Sequence, residues 1–324
     1  MLKVSECQRI IETEISEILF NDEPSGLYNP IRYILSIGGK RVRPCFTLLA
    51  NSLFSEHYSA VVYPALAIEI FHNFTLLHDD IMDNALTRRN KETVHIKWNR
   101  NTAILSGDAM MIMAYEILSK TNPAVFPKIF ALFNRTALEV CEGQQYDMEF
   151  ENRGEVSIEE YIEMIRLKTA VLIATSMSVG AISAQAATTE IDYMYQFGLN
   201  IGLAFQLQDD YLDVFANSHE FGKSIGGDIL ANKKTFLMIS ALNSSQPQLV
   251  HELQTWIAKK DFDPKEKIME VTKIYRELEI EKQTKLIADD YFNRGLAFLE
   301  KVNAPKNQKA ELIHFVLKLM KRER

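Results

Sequence analysis

The sequence predicts an all-α protein, read as a single helical domain over residues 1–324. Glycine and proline number only 13 and 9, below average usage. Hydrophobic residues make up 47% of the chain, and nearly every window repeats them with a period near 3.6, the signature of a helix with one buried stripe. Strand-like alternation never outlasts a few residues, and no repeat, linker or low-complexity segment interrupts the chain.

In chain order, Cys7–Phe20 reads as a first amphipathic helix and Asn29–Ser36 as a second that ends at Gly38-Gly39. Pro44–Leu53 begins a third, with proline acceptable in the first turn. Tyr63–Asp83 is long and apolar. Asn101–Ser119, Pro123–Tyr146, Ser157–Ala187 and Thr189–Phe215 follow, and Ser157 ahead of Glu160 forms a capping box. After a polar loop at Asn217–Asn232 come Lys234–Asn243, Gln246–Lys259, Pro264–Phe298 and Lys306–Lys321. The two longest polar breaks, Asn84–Asn99 and Asn217–Asn232, each follow an acidic cluster.

Composition narrows the function. A net charge of −7 gives no reason to expect a nucleic-acid partner. Cys7, Cys45 and Cys141 are far apart without metal-like spacing, which fits a reducing cytoplasm. The acidic, amphipathic start MLKVSECQRIIETEISEILF lacks the features of a signal peptide. Ala170–Ala187 carries no charge, yet its Thr, Ser and Gln residues make it a buried core helix rather than a membrane span.

The chemistry lies in the acidic clusters. In LLHDDIMD, Asp79 and Asp83 stand at i and i+4 on one helix face, with Asp80 about 100° around. They crowd the negative end of the helix dipole, which adds to their mutual repulsion. One such cluster could be a solvated face. However, QLQDDYLD repeats the spacing with Asp209, Asp210 and Asp213, again at the end of an apolar helix. All-oxygen clusters suit hard cations. Mg²⁺ uses one or two carboxylates and completes its shell with water and substrate phosphates. Cations complement them: GGKRVRP supplies Lys40, Arg41 and Arg43, then come Arg88 and Arg89, then Lys168, Lys223, Lys233 and Lys234. In an acidic protein this set points to a polyphosphate substrate.

DDIMD followed by the arginine pair, GGKRVRP upstream, KTA at 168–170, and FQLQDDYLD with GKSIGGDI downstream together resemble the trans-isoprenyl diphosphate synthases, from about Asn29 to Thr235. The resemblance implies an all-α bundle around a deep central cavity, a homodimer, and three Mg²⁺ ions. It implies condensation of isopentenyl diphosphate with an allylic diphosphate (dimethylallyl, geranyl or farnesyl). On this resemblance Asp79, Asp83 and Asp209 are metal ligands, with Asp80, Asp210 and Asp213 close behind. Arg88, Lys168, Lys223 and Lys233 clamp the allylic diphosphate; Lys40, Arg43, His72 and Arg89 hold isopentenyl diphosphate. Thr169 and Gln206 lie beside the reacting carbons. His72 owes its role to the resemblance, since a lone histidine there is more often a core residue.

The sequence departs from the family at Asn90 and Asn232, where glycine is usual; asparagine best replaces glycine in a left-handed conformation. Phe74 and Phe71 lie roughly 7.5 and 12 Å from Asp79 along the helix, at 1.5 Å per residue. Both can close the cavity against a growing chain or simply pack in the core. With Thr75 and no insertion between Asp80 and Asp83, the pattern resembles synthases of C15 to C20 products, leaning to C20. Two competing readings are a class I terpene cyclase and a catalytically silent subunit of a heteromeric synthase. GGKRVRP, the arginine pair and the second DDYLD oppose the cyclase, and the two intact aspartate clusters oppose the silent subunit.

Overall fold

The computed structural model of the chain describes residues 2–216 and 226–321. Helices α1 (Val4–Ser16), α2 (Ser25–Ser36), α3 (Val42–Ser52) and α4 (Val62–Met82) are followed by a hairpin of β1 (Thr87–Arg88) and β2 (Lys91–Glu92). Then come α5 (Val94–Lys97), α6 (Arg100–Leu118), α7 (Phe126–Asn152), α8 (Ile158–Ile165), α9 (Val171–Ser183) and α10 (Thr188–Phe215). The remainder is α11 (Gly227–Leu230), α12 (Phe236–Leu242), α13 (Pro247–Ala258), α14 (Pro264–Glu277), α15 (Ile280–Lys301) and α16 (Lys306–Lys321).

The chain forms two compact units. The first comprises Met1–Asn134, Thr175–Tyr195 and Val302–Phe315; the second comprises Arg135–Ala174, Gln196–Lys301 and Val316–Arg324. In the first unit, α4 is apolar on nearly all sides and packs along α6, with α3 and α1 beside it. Ala65, Ile68, Phe71, Met110 and Ala114 form its centre. Gly180 brings α9 against α3: a Cβ there would collide with the Thr47 carbonyl and lie 2.7 Å from the Ala50 Cβ. In the second unit, one core gathers Tyr161, Leu203, Leu207, Phe236 and Ala288. A second gathers Leu237, Leu253, Val271 and Tyr275.

The longer helices follow the sequence reading, but α5 and α11 lie in the stretches read as polar breaks, and residues 217–225 of the second break lie outside the described residues. α1 stops at Ser16, leaving Leu19 97% exposed. The strands of the hairpin are two residues each, too short for alternation to show. Pro264–Phe298 is two helices, because Glu279 turns left-handed (φ 56°) without a glycine or proline to announce it. Ser157–Ala187 is interrupted by a π-helical turn, Arg166–Ala170. Residues 171–183 are buried throughout, as a core helix should be. Among the described residues, two stretches are long and apolar enough to cross a membrane, Ser59–Met82 and Ile158–Ser183, their most apolar windows 67% and 83% buried. The first was masked in the sequence by its Glu and His residues.

Gly180→Ala should cost about 1–3 kcal/mol, because the Thr47 backbone cannot yield as a side chain would. Denaturant midpoints of the two proteins measure this, and an unchanged midpoint would mean that α3 and α9 are not in close contact.

Candidate active site

At the end of α4 the three aspartates separate into two roles. Asp79 and Asp83 fall on one face, and the Asp83 N–H closes the final turn onto the Asp79 carbonyl at 2.8 Å. Asp80 turns inward and is 1% exposed. Arg88 Nε donates to both its oxygens at 2.9 Å, and Nη2 lies 2.8 Å from Oδ1. Burial raises the Asp80 carboxyl above its ordinary range, against the pull of Arg88. The hairpin makes this pairing possible. Arg89 and Asn90 both take positive φ, 51° and 61°, as a two-residue mirror-image turn requires. Asn90 thus does what the sequence reading expected, and Arg89 shares the strain.

Beside it lies a row of cations. Gly38 and Arg41 are left-handed (φ 79° and 48°), and Arg41 starts α3 as its N-cap. The Arg89 guanidinium lies over Gly39, where a Cβ would come within 2.8 Å of Nη2. Arg43 Nη1 donates to His72 Nε2 at 3.0 Å, while the buried Arg43 Nε has no hydrogen-bond partner. Burial pushes Arg43 down to about 10, opposed by Glu69 and Asp79. His72 is held well below its ordinary value by burial first and then by Arg43, Arg89, Arg88 and Arg41. A bound anion would satisfy the unpartnered Nε and relieve these disfavoured charges, which makes the row a candidate anion site. Arg41 itself is internal: it pairs with Glu12 and Glu69, each at 2.7 Å.

In the second unit the π-helical turn presents Lys168 and Thr169. Gly143 lets α7 approach this turn, since a Cβ would strike the backbone of Lys168. One turn on, Asp147 Oδ2 accepts from Lys168 Nζ at 2.5 Å and lies 3.7 Å from Lys233 Nζ. Burial alone would raise the Asp147 carboxyl; Lys233 and Lys168 outweigh it and hold it low. Thr169 Oγ1 donates to Gln206 Oε1 and Gln206 Nε2 to Asp210 Oδ1, both at 3.0 Å, while Tyr161 OH donates to Asp210 Oδ2. Burial, then the charge of Asp228, raises Asp210 to about 7. Asp213 Oδ2 accepts the Asp228 N–H at 3.0 Å, which docks the start of α11. Asn232 is left-handed (φ 52°), as expected, and accepts from Lys267 Nζ at 2.7 Å. Asp209 is half-buried on α10. Lys223 lies outside the described residues.

The structure therefore brings Lys40, Arg43, His72, Arg88 and Arg89 into the unit of Asp79, Asp80 and Asp83. It brings Lys168, Thr169, Gln206 and Lys233 into the unit of Asp209 and Asp210. Among the described residues no three His, Cys, Asp or Glu side chains converge on one metal-sized site. The donor set nevertheless fits Mg²⁺, which needs only one or two carboxylates when phosphate and water complete its octahedron. Sequence reasoning missed Glu69, Asp147 and Tyr161. Glu69 and Asp147 were findable as carboxylates within apolar helical stripes; Tyr161 gave no such signal. Phe71 is 1% exposed and packs edge-on against Phe133, with ring centroids 5.3 Å apart. Phe74 packs between Phe71 and His78.

A family model described as polyprenyl synthetase matches residues 24–277. A geranylgeranyl pyrophosphate synthase of Geoglobus acetivorans is 41% identical over 235 residues, 72% of this chain and 73% of its own. A geranylfarnesyl diphosphate synthase of Natronomonas pharaonis is 39% identical over 256 residues, 74% of this chain and 75% of its own. A crystal structure of a geranylgeranyl pyrophosphate synthase, 41% identical, matches with a TM-score of 0.95 over 100% of both chains.

The depressed His72 predicts a pH effect. The unfolded chain takes up this proton near pH 6.5, whereas the folded chain resists it well below that value. Stability from this group is full above about pH 6.5 and falls by up to about 1.4 kcal/mol per unit as the pH drops below it. His72→Gln should remove this component. Parallel stability profiles for the two proteins between about pH 7 and pH 5 would show that His72 is not held neutral.

Proposed function

Because the chain belongs to the polyprenyl synthetase family, we propose that it is a Mg²⁺-dependent short-chain trans-prenyltransferase. It joins isopentenyl diphosphate to an allylic diphosphate and releases diphosphate, giving a C20 prenyl diphosphate, with C15 as the alternative product. The observation that carries this reading is the repeated acidic cluster, each copy folded with its own set of cations. The family model matches residues 24–277, which take in parts of both compact units, and the whole of 1–324 is read as one catalytic domain.

The chemistry assigns the parts. Breaking an allylic C–O bond leaves negative charge on diphosphate and positive charge on carbon. Asp79, Asp83 and Asp209 would hold Mg²⁺, three ions in this reading, which supplies charge neutralisation to the leaving diphosphate. Arg88, Lys168, Lys223 and Lys233 clamp the same group. Lys40, Arg43, His72 and Arg89 take the diphosphate of the second substrate; the unpartnered Arg43 Nε supports this. Thr169 and Gln206, fixed by Asp210, border the allylic carbons with uncharged oxygens. Apolar walls exclude water from the cation. No side chain is assigned as the final base; the departing diphosphate serves. Phe74, backed by Phe71, forms the floor that ends elongation.

The first experiment is a product assay with Mg²⁺, labelled isopentenyl diphosphate and each allylic starter. A C20 or C15 prenyl diphosphate that disappears with EDTA is expected. Hydrocarbon released from an allylic diphosphate alone would identify a cyclase, and silence from the folded chain a non-catalytic subunit. Asp79→Ala should lower turnover by about 10²–10³-fold or more without unfolding the chain. Phe74→Ala should lengthen the product; an unchanged product would return Phe74 to the core.

The enzyme acts as a homodimer. On α6, Ile104, Leu105 and Ile112 are 44%, 60% and 65% exposed, an apolar stripe at helical spacing of the kind that marks an interface. The free thiols of Cys7, Cys45 and Cys141 support a cytoplasmic location. Light scattering should give twice the chain mass. The Leu105→Lys, Ile112→Lys double variant should shift toward the monomer, and a monomeric parent protein would end this assignment.

A further inference from the structure

Helix α1 lies ahead of residues 24–277, the span that carries the family pattern, yet its side chains reach the cationic turn at residues 38–43. Gln8 Nε2 donates to the Lys40 carbonyl at 3.0 Å. Glu12 accepts from Arg41 Nε at 2.7 Å and Nη2 at 3.4 Å. Cys7 on α1 and Cys45 in the first turn of α3 are both fully buried where the two helices pack. The helix is itself tethered, because the Val4 N–H donates to Glu311 at 3.4 Å.

The turn needs this support. Arg41 is left-handed, a conformation that costs a non-glycine residue of order 1–3 kcal/mol and persists only where its surroundings impose it. Its guanidinium is wholly buried and held by Glu12, by Glu69 and by the Leu35 carbonyl at 3.0 Å. Of these three anchors, only Glu12 comes from α1. Lys40 precedes Arg41 and Arg43 follows two residues later, so the backbone angles of Arg41 set where both cations point. We propose that Gln8 and Glu12 are positioning residues for the isopentenyl diphosphate site. They hold the Arg41 turn so that Lys40 and Arg43 meet one diphosphate. The proposal rests on the reading of that turn as the isopentenyl diphosphate site.

Direction and charge make opposite predictions. If Glu12 works by holding the turn, its loss misaligns Lys40 and Arg43 and weakens binding. If Glu12 is only a counter-charge, its loss leaves the site more positive and strengthens binding.

The test compares steady-state constants of the full chain with those of a Gln8→Ala, Glu12→Ala double variant, both substrates varied. A rise of about tenfold in KM for isopentenyl diphosphate is expected, with kcat and the allylic KM within about twofold. Glu12→Gln keeps an acceptor for Arg41 Nε and should recover part of the loss; it also serves alone if the double variant does not fold. A fall in KM, no change, or equal losses toward both substrates would overturn the proposal. Titration of isopentenyl diphosphate into the folded proteins, without allylic substrate, should show the same weakening. Wild-type protein that binds no isopentenyl diphosphate at all would instead fail the reading of the site itself.

Discussion

A single buried carboxylate holds together the row of cations in the first unit. Glu69 sits 3% exposed in the middle of α4, where an unpaired charge would be costly. It is paired with Arg41 and also accepts from Asn73 at 3.0 Å. Through Arg41 it fixes the turn from which Lys40 and Arg43 extend. Five cationic side chains in this unit would otherwise repel one another with little to hold them. Glu69 and Glu12 absorb Arg41, and Asp80 absorbs Arg88. The charges of Arg43 and Arg89, both disfavoured by burial, are those a bound anion would relieve.

The second unit applies the same economy with different residues. Asp147 gathers Lys168 and Lys233 on one oxygen, so two ammonium groups stay near each other before any phosphate arrives. In both acidic clusters the middle aspartate is buried and already committed. Asp80 holds an arginine; Asp210 holds a tyrosine and a glutamine. The D-D-x-x-D spacing thus divides labour by helical geometry. Positions one and five share an accessible face, and position two points into the fold as an orienting group. Asp213 breaks the symmetry by docking α11 rather than standing open like the exposed Asp83.

Much of this was legible in the sequence because it follows from period and charge. The long apolar runs of α4 and α10 had to be buried, and aspartates at their ends could not be accidents twice. Asn90 and Asn232 were readable as left-handed residues from chemistry alone. What stayed hidden depends on tertiary partners. Nothing local marks Glu279 as left-handed, and the π-helical turn at residues 166–170 has no compositional signal. Arg41 looked like one cation among three, and only the fold shows that its charge is spent inward on Glu12 and Glu69. Nothing in the sequence marks Tyr161 as the aromatic whose hydroxyl donates to Asp210.

The π-helical turn also sets how this chain can vary. An α-helix advances 100° per residue, and the extra residue in Arg166–Ala170 resets the phase between α8 and α9. Deleting one codon there would restore a regular helix but swing every downstream side chain of α9 by a quarter turn or more, moving its fully buried surface out of register. The polar break between α4 and α5, by contrast, joins its neighbours through a surface hairpin and carries no such phase. Insertions and deletions among descendants of this sequence should therefore collect in the surface breaks, while the five residues around Lys168 keep their number even where their identities drift.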